Sequence, residues 1–322
     1  MDQSVSRRGF IGAAIGTGAA AAVAPTAALA GGRHHKHGHG HGHGHGKGGS
    51  VPKSRRSSQL YSWRRIMDRS QADAEGMLRA LSKMGYTQVE RAGTYGWTAR
   101  EFKRVLRRYD LWAHSSHDGF SIDPDDANWL SNWEPALQYA AELDQEFIGF
   151  AWFPGPYDDK AFWQFLAQRF SEAGELAKEE YGLQFFYHNH DFEFTNQFDG
   201  APAYNILLEE SDREYVKFEL DLYWIVYGGE SPVHYLSDDP ARYPLYHVKD
   251  RTWRNRPTEQ DWEDVGPGSI DFPDIFDAGD GHRLDKHFVI EHDWPLLSHP
   301  DDENAELKTA YAGIQYLKDV RW

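Results

Sequence analysis

Cysteine is absent from the 322 residues. That excludes a disulfide framework, a thiolate-held zinc and a cysteine nucleophile, so any metal must sit on histidine, aspartate, glutamate or asparagine. Positive charge is scarce. From Arg55 to Trp322 there are 49 Asp and Glu against 28 Lys and Arg, a net charge of about −21, beyond the −16 of the whole chain. Such a surface repels nucleic acid and anionic membranes, which makes both poor partners, and it suits a salt-tolerant protein. A glycine-rich fingerprint at a first strand-to-helix turn is also missing, so nothing favours a dinucleotide-binding open sheet. What is present is apolar mass. With 40% hydrophobic residues, including 12 Trp, 17 Tyr and 18 Phe, the chain can bury a sizeable core, while a mean hydropathy of −0.71 argues against a polytopic membrane protein.

The first thirty residues are of another kind. Arg7-Arg8 with Gly9-Phe10-Ile11 precedes a weakly apolar Gly/Ala stretch that ends in Ala28-Leu29-Ala30, a small-x-small cleavage pattern. Residues 1–30 are expected to be a twin-arginine signal peptide, placing the mature protein in the periplasm or outside the cell. A membrane anchor is the alternative, but the stretch is short for a bilayer span. Residues 31–57 open with seven histidines between His34 and His45, mostly alternating with glycine. This composition predicts a disordered tether, read either as a loose metal-scavenging arm or as a plain spacer.

Beyond it, strand-like and helix-like segments alternate. Strands are predicted at 59–63, 87–91, 111–114, 147–153, 183–190, 216–222, 245–249 and 288–291. Helices are predicted from Ser70 to Gly85 and at 98–108, 126–143, 159–180, 203–210, 233–237, 272–277 and 303–318. About eight strand–helix units over residues 58–322 match the size of a (β/α)8 TIM barrel.

The predicted strand ends are rich in ionisable groups: Glu90 on the second, His114 and His117 on the third, His188, Asn189 and His190 on the fifth, and Asp221 on the sixth. The seventh ends in His247, Lys249 and Asp250, and the eighth in Glu291, His292 and Asp293. Residues two apart on a strand share a face, so His188 with His190, His247 with Lys249, and Glu291 with Asp293 can point into the barrel mouth together. Imidazoles and carboxylates without sulfur suit one divalent ion, with Mn²⁺ favoured and Zn²⁺, Co²⁺ or Mg²⁺ as alternatives. Such an ion would polarise a carbonyl or hydroxyl oxygen and stabilise an enediolate while a nearby base removes the proton alpha to the carbonyl.

The runs YHNHDFEF (187–194), FELDLYW (218–224), HVKD (247–250), VGPGSIDF (265–272) and VIEHD (289–293), with QLYSWR and GYTQVERAGTYG upstream, resemble the xylose-isomerase-like TIM barrels of the sugar phosphate isomerase/epimerase family. The resemblance covers residues 59–322. It implies a divalent metal at the ends of strands five to eight, held by Asp221, His247, Glu291 and a fifth-strand residue, either His188 or Glu193. His190, Lys249 and Glu193 then become candidates for proton transfer or hydroxyl orientation, and Glu90, His114, His117, Asn189 and Asp293 for substrate contact. Trp294 stands where arginine is expected in close relatives, which weakens the case for a phosphorylated substrate.

Trp63, Tyr95, Trp97, Trp152, Phe153, Tyr223 and Trp224 fall at or beyond strand ends, where ring faces can pack on sugar C–H faces or simply fill the core. Of these, Trp152, Tyr223 and Trp224 are the aromatic candidates for substrate contact. The expected function is a metal-dependent isomerase, epimerase or lyase acting on a neutral keto-sugar or keto-glycoside, with homo-oligomerisation left open. A non-catalytic exported sugar- or metal-binding protein, and a metal-dependent phosphoesterase of the endonuclease branch, are the alternatives. The acidic surface disfavours the second.

Overall fold

In the computed structural model, eight short strands run in chain order as β1 (Arg56–Ser58), β2 (Gln88–Arg91), β3 (Trp112–Ser116), β4 (Phe147–Phe150), β5 (Gln184–His188), β6 (Val216–Asp221), β7 (Leu245–Val248) and β8 (His287–Ile290). The structure describes residues 49–252, 261–279 and 285–322. The predicted signal peptide and residues 31–48 of the predicted tether lie outside the described residues. The remainder of that tether is not separate from the body. Val51 is buried, Gly49 donates its N–H to the Trp322 carbonyl at 2.8 Å, and β1 already starts at Arg56, so the folded body begins before residue 58.

β1, β8, β7, β6, β5 and β4 form one parallel sheet in that order, and β2 pairs with β3. Parallel bridges Gln59 to Glu90 and His117 to Gly149 join the two and close the ring. The connections carry α1 (Gln71–Met84), α2 (Ala99–Arg108), α3 (Trp129–Glu142), α4 (Lys160–Tyr181), α5 (Ala203–Glu210), α6 (Pro232–Asp238), α7 (Phe272–Ala278) and α8 (Ala305–Asp319). This is the predicted (β/α)8 architecture. Local chemistry sets the helix limits. Ser70 accepts the Asp73 N–H at the start of α1 and Gly85 ends it at φ 109°, a left-handed conformation that costs glycine nothing. Thr98 and Glu101 form a capping box on α2. Among the described residues no helix is long and apolar enough to cross a membrane.

The first strand departs from expectation. Beyond Gln59, which is extended and bridges to Glu90, residues 60–63 are not a strand: Gln59 accepts the Tyr61 N–H and Leu60–Trp63 forms a 3-10 turn, with the strand lying just upstream in the polar run Arg56–Ser58. The run can be polar because its side chains meet polar partners, Ser57 on His114 and Ser58 on the Trp63 indole.

The pleat puts alternate residues inside the barrel. At the floor His114 stacks on His287 at 4.3 Å, and His287 meets Gln88 at 2.8 Å. Above the floor, Phe147, Phe186 and Leu245 form a small apolar cluster apart from the main core. It lies between the two polar levels, the Phe147 ring 5.5 Å from His287 and the Phe186 ring 5.8 Å from His117. The Phe186 ring fits there because β4 carries Gly149, where a Cβ would come within 2.2 Å of it. The polar mouth lies over this cluster.

Candidate metal centre

Four strands end in the side chains that converge at the mouth. His188 closes β5 and Asp221 closes β6, while His247 sits inside β7 and Glu291 follows β8 directly. One ligand atom from each lies within 4.8 Å of the others, and all four residues are buried. His247 Nδ1 is 2.8 Å from Glu291 Oε2 and 3.8 Å from Asp221 Oδ2, and His188 Nε2 is 3.9 Å from Asp221 Oδ2. Asp221 Oδ1 accepts the N–H groups of Tyr223 and Trp224 at 2.9 and 2.8 Å, capping the helical turn Leu222–Tyr227, and this turns Oδ2 toward the other three residues.

The group fits a divalent ion. Two imidazoles and two carboxylates are the donors such an ion takes, and ligands about 2.0–2.2 Å from a common centre lie a few ångströms apart. Buried Asp221 Oδ2 accepts no aligned hydrogen bond, and the buried nitrogens His190 Nδ1, Trp224 Nε1 and Trp262 Nε1 also lack partners. Unmet polar atoms of this kind carry a cost that a bound ligand would relieve.

Lys249 Nζ lies 3.0 Å from Asp221 Oδ2, 2.6 Å from Glu291 Oε2 and 3.0 Å from Asp293 Oδ2. Burial opposes its charge, but Asp221, Asp293 and Glu291 outweigh that and hold Lys249 well above the usual lysine range. In this setting Lys249 stands as an ammonium that donates to the three carboxylates. Burial pushes Asp221 up to about 6 in spite of Lys249. Burial and then the neighbouring His247 hold His188 well below the usual range, leaving a neutral imidazole, whereas at His247 burial is outweighed by Glu219, Glu291 and Glu90, which hold it well above that range, so a metal bound there would displace its Nδ1 proton. Burial and Lys249 depress His190 to about 3, so it too is neutral. Its ring lies 5.1 Å from His188 and 5.4 Å from Trp224.

Other residues singled out in the sequence lie elsewhere. Glu193 is not in the cluster. It is fully buried in the turn Phe192–Thr195, accepting from the Tyr187 hydroxyl and from the His190 N–H at 2.9 and 3.0 Å, so of the two fifth-strand candidates His188 is the one brought to the centre. Glu90 is buried below the centre on Gln59, Ser115 and His247, and His117 sits beside it, bonded to Glu219. His114 is on the floor. Asn189 accepts the Asp221 N–H at 2.9 Å and ties the ends of β5 and β6. Each of these four is thus bonded to neighbouring protein groups.

Asp293 remains at the mouth through Lys249. Tyr223 is buried, stacked 4.2 Å from Trp262, and Trp224 lies 5.5 Å from Lys249 Nζ. Trp152 is 51% exposed, whereas Trp63 and Phe153 are core residues. His292 turns to Ser298, and Asp250 to backbone N–H groups. The sequence reading missed Glu219, a fully buried carboxylate on β6. Its signal was present, since it stands two residues before Asp221 and so on the same face.

Glu193 has a measurable consequence. Burial pushes its carboxyl up to about 8, against 4.5 for an ordinary glutamate. Between those values the folded protein holds a proton that the unfolded chain has released. The stabilisation is full below pH 4.5 and is lost as pH rises through 8, by about 1.4 kcal/mol per pH unit at the steepest. Urea unfolding at stepped pH is expected to show that Glu193→Gln flattens this decline. A variant curve parallel to the parent would mean that Glu193 ionises without penalty.

A family model described as xylose isomerase-like TIM barrel matches residues 78–320. Over 175 residues the chain is 27% identical to an inosose dehydratase of Geobacillus thermodenitrificans, which takes in 49% of this chain and 54% of that protein. The match thus spans about half the length of that curated relative. Among solved structures, a sugar phosphate isomerase/epimerase from Parabacteroides distasonis superposes with a TM-score of 0.68 at 22% identity, covering 84% of this chain and 95% of that one. The IolI protein, crystallised with a zinc atom, superposes with a TM-score of 0.64 at 14% identity, covering 82% and 97%. At these identities the structural likeness shows a shared fold.

Proposed function

Because the chain belongs to the xylose isomerase-like TIM-barrel family, we propose that it is a divalent-metal-dependent enzyme that moves the proton alpha to the carbonyl of a neutral keto-sugar or keto-glycoside. The observation that carries this reading is the convergence of His188, Asp221, His247 and Glu291 from four strand ends, with Lys249 against three carboxylates beside them. An ion held by those four residues would act as a Lewis acid toward a substrate oxygen. Lys249, locked in its charged form, donates to a substrate hydroxyl or to the oxygen on which negative charge develops. His190, with Nδ1 uncommitted and its ring 5.1 Å from His188, is the group placed to accept the proton. Trp224 lies beside His190, its ring 5.4 Å away, and offers a buried Nε1–H to a ligand. Isomerisation, epimerisation and loss of a beta hydroxyl all start from that one proton abstraction.

A neutral substrate is favoured by the rim. Arg64 lies over the rings of Tyr61 and Trp294 at 4.1 and 4.8 Å, and its Nη groups go to the carbonyls of Tyr61 and Asp293 at 2.9 and 2.7 Å. That guanidinium is committed to backbone rather than offered to a phosphate. Export, as expected from the twin-arginine pattern of residues 1–30, would fit the same reading, since phosphosugars are mostly kept in the cytoplasm.

The test is solvent exchange. In D₂O, a panel of keto-sugars and 3-keto-glycosides is expected to take up deuterium next to the carbonyl in the presence of the Mn²⁺-loaded protein and to lose that uptake with chelator. No metal-dependent exchange or turnover across the panel would leave a binding protein in its place.

A further inference from the structure

Beneath the four mouth residues lies a second group, His117, His188, Glu219 and His247, which shares two histidines with the first. The shared rings use different nitrogens on the two sides. His247 turns Nδ1 up toward Glu291 and Asp221, and its Nε2 down to Glu90 Oε1 at 2.7 Å and to Glu219 Oε2 at 3.0 Å. His188 does the reverse, with Nε2 toward Asp221 and Nδ1 on Glu219 Oε2 at 3.1 Å.

We propose that Glu90 and Glu219 are positioning residues, a carboxylate clamp that fixes opposite tautomers on the two histidines, so that His247 presents Nδ1 and His188 presents Nε2 to the metal. The inference rests on the metal centre proposed above. A neutral imidazole carries one ring proton, and a ligand whose proton sits on the wrong nitrogen cannot bind. A carboxylate that takes the far N–H removes that choice and holds the ring plane.

The clamp is itself braced. Gln59 Oε1 accepts the Tyr61 N–H at 3.0 Å, which settles which end of the amide faces inward, so Gln59 Nε2 donates to Glu90 Oε1 at 2.7 Å. Ser115 Oγ donates to Glu90 Oε2 at 2.6 Å, and His117 Nε2 lies 2.8 Å from Glu219 Oε2 and 3.1 Å from Glu90 Oε1. Glu90 reaches His247 across the lumen, because β2 and β7 are separated in the ring by β1 and β8. A surface carboxylate meeting a histidine by chance would have no such support. In the lower group the ring nitrogens meet Glu219 Oε2 directly, and the Gln59 amide N–H points in at Glu90, which the clamp accounts for; a second ion there is the alternative that the titration counts.

The experiment uses the full-length chain with the seven histidines from His34 to His45 changed to serine, which removes background binding by that stretch. Zinc is titrated against a chelating indicator in this parent and in its Glu90→Gln and Glu219→Gln variants, and histidine ring ¹⁵N shifts are recorded for the parent with and without zinc. One ion per chain is expected. Zinc should shift His247 Nδ1 and His188 Nε2 while the other nitrogen of each ring stays protonated, and each variant should bind zinc about 10- to 100-fold more weakly with its melting curve retained. Two ions of similar affinity, zinc on the opposite nitrogens, or unchanged affinity in both variants would overturn the clamp. The ¹⁵N result needs no variant to fold. Absence of any bound ion in the parent is a separate outcome and would remove the metal centre itself.

Discussion

Asp221→Asn is expected to abolish tight binding of the single divalent ion, lowering affinity at least about 100-fold, and to remove turnover with it. Few substitutions separate ligation from folding so cleanly. Oδ1 of Asp221 caps the turn Leu222–Tyr227, and the carbonyl oxygen of asparagine can keep that cap. Oδ2, the oxygen without an aligned hydrogen bond, becomes an NH₂ that faces the Lys249 ammonium and cannot ligate. His247→Ala should also abolish binding, but it strips Glu90 and Glu291 of a partner in the same step and is expected to unfold more easily. Metal content after dialysis, read beside a thermal melt, separates the two cases. An asparagine variant that keeps one ion per chain at parent affinity would mean the centre is wrongly placed.

Asp250→Ala is expected to cost stability on the scale of 3–5 kcal/mol, measured by urea unfolding, while the remaining folded protein still binds one ion. HVKD and VGPGSIDF are far apart in sequence but form one object. The Asp250 carboxylate, 1% exposed, accepts the N–H groups of Arg251, Gly266, Gly268 and Ile270 at 2.8, 3.0, 3.1 and 3.2 Å. Alanine leaves all four without their acceptor. The glycine at 268 belongs to the same unit, because a Cβ there would lie 2.2 Å from the Asp250 carboxylate oxygen. A small loss of stability, below about 1 kcal/mol, would show that water replaces the carboxylate.

Much of the mouth could be read in advance because a parallel barrel gathers the C-terminal ends of its strands at one face, so a polar residue ending an apolar run has few other places to go. His188, Asp221, His247, Lys249, Glu291 and Asp293 follow that logic. What one strand read alone does not contain is height along the barrel axis. Glu90 ends its apolar run as His188 does, yet stagger between strands places it below the metal candidates, and a register shift between Val89 and Glu90 along the β2–β3 pairing leaves His114 on the floor. Glu219 was overlooked because FELD has the alternation of an ordinary half-buried strand. Glu193 was overvalued because spacing along a chain does not show that Tyr187 and the His190 N–H claim its carboxylate first. β1 was misplaced because an interior strand was expected to be apolar, whereas this lumen has polar partners waiting.

The small cluster of Phe147, Phe186 and Leu245, made possible by the missing side chain at Gly149, sets an apolar layer between the floor histidines and the polar mouth. The apolar layer does not cut the two ends apart, because a polar path runs round it: His114 Nε2 lies 3.2 Å from Ser115 Oγ, which donates to Glu90 Oε2 at 2.6 Å, and Glu90 Oε1 meets His247 Nε2 at 2.7 Å. Exchanging the floor histidine pair is therefore expected to be felt at the mouth through Ser115 and Glu90.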